Sequence, residues 1–144
     1  MARPEPPVRS DFAFVHPLRV RWSEVDPQGI VFNPNYLMYA DVALTEFWRA
    51  LGIDYVSMPA EHGVDTFMVN ASVNYFASAR FDEEIAIGVK TGRLGRSSLV
   101  LDFAVFRGDD GLVAGALTYV FATTGEARTP TPIPEAVRTR LTGA

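Results

Sequence analysis

The chain has 144 residues, 48% hydrophobic and 21% charged, and 13 Lys+Arg against 17 Asp+Glu leave a formal net charge of -4. This is the composition of one soluble globular domain, long enough to bury a core without covalent staples. Zero cysteines exclude a disulfide framework, a thiolate nucleophile and Cys-ligated zinc or iron–sulfur centres, and His16 and His62 alone are too few for a histidine-built metal site within one chain. Oxygen-only metal sites stay open, although no Asp-rich loop of the calcium type is present, and no metal or other cofactor is expected. A mildly acidic total with scattered basic residues argues against nucleic acid as a partner, because phosphate binding needs clustered positive charge.

Residues 1-11 carry three prolines and no apolar core of a secretory signal, so they read as a flexible or extended N-terminal arm preceding a single domain over 12-144. No stretch approaches the roughly 20 apolar residues that cross a bilayer, and the expectation is a cytoplasmic protein with no membrane partner. A first strand is expected over Phe12 to Trp22, bent at Pro17. Ser23 to Pro34 is rich in turn formers. Leu37, Ala40, Leu44, Phe47, Trp48 and Leu51 then recur at helical spacing, which predicts one helix of roughly five turns, with Asn33 as its cap, Pro34 at its first position and Gly52 ending it.

After a loop containing Met58, Pro59 and Gly63, the period changes to two. Phe67, Val69, Ala71, Val73 and Tyr75 alternate with Asn70, Ser72 and Asn74. Three more strands follow from Ile85, Ile87 and Val89, then Leu99, Leu101, Phe103 and Val105, then Leu117, Tyr119, Phe121 and Thr123. Their short connections, Gly92 to Arg96 and Gly108 to Gly111, imply antiparallel pairing. Glu135 to Leu141 reads as a short terminal helix. The fold class is α+β, with the long helix laid on one face of an antiparallel sheet.

The chemistry concentrates before the helix. Asp26-Pro27-Gln28-Gly29 fits a type I turn, and it lies just upstream of a helix N-terminus whose unpaired amides favour negative charge. A carboxylate near such a terminus can attack a carbonyl or activate water while the amides hold the developing oxyanion.

The run Val20-Arg21-Trp22-Ser23-Glu24-Val25-Asp26-Pro27-Gln28-Gly29-Ile30-Val31-Phe32-Asn33-Pro34-Asn35-Tyr36, followed by Thr45-Glu46-Phe47-Trp48-Arg49-Ala50-Leu51-Gly52, resembles the hydroxybenzoyl-CoA thioesterase family of hotdog-fold proteins. The resemblance implies a curved antiparallel sheet wrapped around the long helix and a homodimer or homotetramer built by pairing sheets. It also implies an acyl-CoA thioesterase that releases a carboxylic acid and free coenzyme A. Position by position, Asp26 matches the family's catalytic carboxylate, nucleophile or general base, and Asn33 the residue whose backbone amide polarises the thioester carbonyl. Gly29 matches a glycine that lets backbone and ligand approach. Tyr36 matches an aromatic at the helix start, suited to pocket or packing, and Phe32 joins the substrate-binding candidates. Arg93, Arg96, Ser97 and Ser98 fall on a turn that resembles the family's phosphate-holding connection, against the plain alternative of an exposed hairpin turn.

Among the other titratable groups, Glu24 is expected to be solvated unless it shares a face with Asp26, and Glu46 to pair with Arg49 on the helix surface. His16 and His62 read as structural. Phe32, Tyr39, Phe47, Trp48, Phe67, Tyr75 and Phe76 read mainly as core, some of them walls of an acyl pocket. Two rivals stay open: an acyl-carrier-protein thioesterase, in which basic residues face an acidic carrier, and a noncatalytic acyl-binding module on the same fold.

Overall fold

A computed structural model describes residues 4–144. In chain order the elements are β1 (Phe14–Arg19), α1 (Asn35–Ala50), α2 (Met58–His62), β2 (Val64–Tyr75), β3 (Glu84–Leu94), β4 (Ser98–Arg107), β5 (Asp110–Thr123) and α3 (Glu135–Leu141), with short 3-10 turns at Arg9–Asp11 and Trp22–Glu24. The strands make one antiparallel sheet in the order β1-β3-β4-β5-β2, and α1 packs on one face of it. This is the α+β class expected from the periodicities, with the long helix against an antiparallel sheet as the family resemblance implies.

The alternating residues of the three central strands face the helix. Val105 sits opposite Ile87 and Val113, Phe103 opposite Val89 and Gly115, and Leu101 opposite Leu117, and every one of these side chains is buried except Gly115, which has none. Directly opposed residues share a face, so one stripe per strand suffices to build this core. Gly115 is glycine for a local reason: a side chain there would run into the Phe103 ring and the Ser72 carbonyl. From the helix side, Tyr36, Tyr39, Ala40, Ala43, Leu44, Phe47 and Trp48 close the core.

Several boundaries differ from the sequence expectation. The first strand is shorter than Phe12 to Trp22, because Trp22 has already entered a 3-10 turn with Ser23 and Glu24. Pro17 lies on β1, an edge strand, where a missing amide leaves no ladder bond broken. Asn33 does not cap α1. The helix begins at Asn35 after a helical Pro34 with no side-chain cap, since the amides of Asn35 and Leu37 are bonded to the carbonyls of Phe32 and Pro34 at 2.8 and 3.2 Å. The helix has 16 residues and ends before Gly52, which is left-handed at φ +71° as expected. Leu37 faces outward, at 36% exposure, and Tyr36 takes the inward position. Met58 and Pro59 belong to the short helix α2 rather than to a loop.

The most consequential difference is in β2. Its register shifts between Met68 and Asn70, so the expected five-residue alternation is broken at Val69. Ala71, Val73 and Tyr75 oppose Leu117, Gly115 and Val113 on the helix-facing side, whereas Phe67 opposes Val120 and falls on the other. One extra residue in a strand exchanges faces for everything before it. Phe67 there lies under the Arg128 guanidinium, 4.4 Å from its ring centroid.

Within the expected arm, residues 1–3 lie outside the described residues. Residues 4–11 are laid against the sheet: Arg9 donates to the Gly108 carbonyl at 2.6 Å, Pro7 abuts Gly111, and the ring of the following Phe12 packs edge-to-face on Phe106. At the other end α3 follows the expected bounds, with Val137 and Leu141 buried.

Candidate active site

Between β1 and α1 the chain folds back as a small hairpin. Val25 bridges Val31, the Asp26 amide donates to the Ile30 carbonyl at 2.9 Å and the Phe32 amide to the Glu24 carbonyl at 2.9 Å. The tip is the turn expected over Asp26-Pro27-Gln28-Gly29, closed by the Gly29 amide on the Asp26 carbonyl at 2.9 Å. Gly29 has φ +75°, a conformation in which glycine carries no side-chain penalty. The Asp26 side chain accepts the Gln28 amide at 2.8 Å through Oδ1, which orients the carboxylate, and Oδ2 accepts no hydrogen bond among the described residues.

The return arm of the hairpin delivers Asn33 to the start of α1. Neighbouring amides are committed: Val31 to the Ala79 carbonyl, Phe32 to Glu24, Asn35 to Phe32. The Asn33 amide donates no hydrogen bond among the described residues, and Pro34 has none to donate. A free N–H at the positive end of a 16-residue helix, close in the chain to an oriented carboxylate, is an arrangement that can bind and polarise a carbonyl oxygen.

Three further side chains, Tyr75, Tyr36 and Glu24, hold the surroundings of these two groups. Tyr75, from β2, donates its hydroxyl to the Asn33 carbonyl at 3.1 Å. Tyr36 is buried at 2% exposure, its hydroxyl accepts the Ala79 amide at 3.0 Å, and burial pushes its phenol up. Its ring meets those of Tyr39 and Tyr75 edge-on, so Tyr36 serves packing, fixing the segment that follows β2. Glu24 is buried rather than solvated, bonded by Arg21 and Tyr39. The three-residue spacing of Arg21 and Glu24 was a readable signal for part of this; the bonds of Tyr75 and Tyr36 join residues 42 and 43 positions apart and left none. Phe32 is open beside the hairpin, at 51% exposure.

Arg93, Arg96, Ser97 and Ser98 are not brought to this site within one chain. The hairpin follows the Arg19 end of β1, which pairs with Glu84 at the start of β3, whereas Arg93 is near the far end of the same 11-residue strand, about 30 Å away at about 3.3 Å per residue. The turn itself is firmly held: the Gly95 amide donates to the Ser98 carbonyl, and the Arg138 guanidinium and the Ile133 amide donate to the Arg96 carbonyl. Arg93 and Arg96 are exposed, and among the described residues neither is paired with a carboxylate.

The remaining candidates resolve simply. Glu46 and Arg49 form the expected helix-surface pair at 3.1 Å. His62 ends α2 with Glu61 3.8 Å away, and His16 lies on β1. Tyr39 and Phe47 are core, while Trp48 walls a cavity of about 160 Å³ with Leu44, Tyr55 and Tyr119 as its apolar lining and Asp41, Thr45 and Thr66 at its polar points. Burial pushes the Tyr119 phenol up to about 12. No helix among the described residues is long and apolar enough to cross a membrane.

Comparison with known proteins bears on the family and the fold. The family model described as Thioesterase superfamily matches residues 28–114, beginning within the Asp26 turn and ending in β5. The acyl-CoA thioester hydrolase YbgC of Escherichia coli is 24% identical over 124 residues, covering 86% of this chain and 92% of the relative. Among solved structures, a Pseudomonas aeruginosa protein superposes with a TM-score of 0.83 at 28% identity, covering 96% of this chain and 95% of its own. A mutant 4-hydroxybenzoyl CoA thioesterase complexed with 4-hydroxybenzoyl CoA gives a TM-score of 0.80 at 22% identity, covering 89% and 97%, a likeness of fold. With more than half of its length matched and the fold shared throughout, the chain belongs to the Thioesterase superfamily.

Proposed function

We propose that the protein hydrolyses acyl-CoA thioesters to a carboxylic acid and free coenzyme A. The observation that carries this reading is the pairing of an oriented carboxylate, Asp26, with an uncommitted helix-terminal amide, Asn33, on the two arms of one hairpin. Asp26 attacks the thioester carbonyl, or takes a proton from the water that does. Electrons move onto the carbonyl oxygen, where the Asn33 amide stabilises them, and collapse of the tetrahedral species expels the coenzyme A thiolate. In the nucleophilic route, water then hydrolyses the acyl-aspartate anhydride.

The working unit is a homodimer or a homotetramer. Strand β2 is at an edge of the sheet with Met68, Val69 and Tyr75 at 50%, 61% and 47% exposure, an apolar open edge that asks for a partner strand. Antiparallel pairing of β2 with its copy turns the second chain end for end. The partner's turn carrying the counterparts of Arg93, Arg96, Ser97 and Ser98 then points toward this chain's Asp26 end, which suits the phosphates of coenzyme A. The cavity beside Trp48 and Tyr119 lies toward the far end of α1 from Asn33, about 20 Å along the helix at about 1.5 Å per residue, so it becomes the candidate acyl pocket for the Asp26 of the paired copy rather than for its own.

The test is thiol release from a panel of aryl and straight-chain acyl-CoAs, to which a protein without cysteine adds no background. Turnover lost in a folded Asp26→Asn variant supports the reading. Turnover retained moves the chemistry off Asp26. Binding without turnover favours the acyl-binding module, and hydrolysis of acyl-carrier-protein thioesters alone, indifferent to free coenzyme A, favours the carrier-protein enzyme.

A further inference from the structure

Glu24 is the one charged side chain buried among the described residues, at 8% exposure, and the chemistry above makes no use of it. Four donors converge on its carboxylate. The Arg21 amide and the Tyr39 hydroxyl reach Oε1 at 2.7 and 3.0 Å, and the Arg21 guanidinium reaches Oε2 through Nε at 2.9 Å and Nη2 at 2.5 Å. Burial opposes the charge, but the bonds from Arg21 and Tyr39 outweigh it and hold the carboxyl below its ordinary range. A buried ion pair is a weak source of stability, because apolar replacements of equal volume commonly do as well. Its geometry matters more.

The backbone of the same residue is equally engaged. The Glu24 carbonyl accepts the Phe32 amide and the Asn35 side-chain amide, both at 2.9 Å. Residue 24 thus fastens the outgoing arm of the hairpin through Arg21, the returning arm through Phe32, the first residue of α1 through Asn35 and the next turn of α1 through Tyr39. Asp26 follows Glu24 by two residues and Asn33 follows Phe32 by one.

We infer that Glu24 is a positioning residue for thioester cleavage: clamped by Arg21 and Tyr39, its carboxylate fixes the Asp26 turn against the start of α1 and so sets the placement of carboxylate and amide. The inference rests on the roles given to Asp26 and Asn33 above. Glu24 touches no reacting atom and acts only through them.

The test compares wild type with Glu24→Gln, Tyr39→Phe and the double variant, each checked by circular dichroism to be folded at the assay temperature, with Glu46→Gln as a surface control. Glutamine keeps the shape but offers one acceptor oxygen where the carboxylate offers two, so its NH2 must face either the Arg21 guanidinium or the Arg21 amide and Tyr39 hydroxyl. The expected result is a kcat at least about 10-fold lower in Glu24→Gln, toward the roughly 100-fold that a displacement of about 1 Å costs, with KM changed by less than about twofold. Tyr39→Phe should fall by less, and the double variant no further than Glu24→Gln, since both act through one contact. The control should match wild type. Wild-type kcat in folded Glu24→Gln, or fully additive losses in the double variant, would overturn the inference. If wild type itself releases no thiol, the thioesterase reading falls on its own, and hydrogen–deuterium exchange decides the positioning role: faster exchange confined to residues 25–33 in Glu24→Gln upholds it, and unchanged exchange there overturns it.

Discussion

The hydroxyl of Tyr75 donates to the backbone carbonyl of Asn33 across 3.1 Å, joining the open edge strand to the start of the long helix. The carbonyl and amide flanking Asn33 belong to adjacent peptide units, so whatever turns one is felt by the other. Tyr75→Phe removes the bond and leaves the ring stacked edge-on with Tyr36. A net hydrogen bond contributes about 0.5–1.5 kcal/mol. If it acts on the transition state, kcat should fall by about 2-fold to 10-fold while the melting temperature moves little, which steady-state kinetics and calorimetry on the same samples would establish.

At Asn33 the side chain and the amide should separate cleanly. Asn33→Ala keeps the amide and is expected to cost less than about 10-fold in kcat, since the side chain makes no capping bond. Asn33→Pro deletes the amide itself and should cost about 100-fold to 1000-fold, the usual loss of one oxyanion donor. Equal losses in the two variants, with both folded, would transfer the role from backbone to side chain.

Glu24 also gives a pH signature in stability. Its carboxyl titrates lower in the folded chain than in the unfolded one, because the bonds from Arg21 and Tyr39 outweigh the effect of burial. The stabilisation is therefore complete above the unfolded value of about 4.3 and is lost as pH falls through the lower folded value. Denaturation of wild type and Glu24→Gln should show the widest gap near neutrality, narrowing below about pH 4. A gap that widens on acidification would contradict the sign.

The open edge predicts an assembly defect. Val69→Lys places a charge at the bulge of β2, where the side chain is already 61% exposed. The variant should fold, sediment as a smaller species than wild type, and lose turnover along with assembly. A full-size oligomer with normal kcat would show that pairing uses another surface.

For the basic turn, the proposed phosphate role predicts that Arg93→Gln with Arg96→Gln raises KM for acyl-CoA by about 10-fold or more and leaves kcat near wild type, because contacts of that kind would be felt equally by substrate and transition state. Truncated thioesters lacking the nucleotide should not distinguish the variant from wild type.

What was legible from the sequence followed from short-range pattern. The turn at Asp26-Pro27-Gln28-Gly29, the strands through Ile87, Phe103 and Leu117, the left-handed Gly52 and the Glu46–Arg49 pair are all set by residues within a few positions of one another. The misplacements have equally local causes. Asn33 resembles a cap, yet an N–H bonded to a backbone carbonyl, as at Asn35, leaves a cap nothing to accept. Period two is blind to an inserted residue, so Phe67 was assigned the wrong side of β2. The contacts of Tyr75, Tyr36 and Tyr39 with Asn33, Ala79 and Glu24 depend on how β2, the loop after it and α1 come together, which no spacing in the chain records.

The register shift at Val69 has a further effect on how the open strand behaves among many copies of the chain. A flat, regular edge would accept another strand in several alignments and leave a new edge free for the next, the route to fibrous stacking. An irregular strand matches a copy of itself in few alignments, because the extra residue must be accommodated at one place. Once two such edges close on each other, neither sheet has that edge left to offer, and Pro17 sits on the opposite border, at β1. The same irregularity that hides the strand's pattern from a reader of the sequence thus restrains it from indiscriminate aggregation.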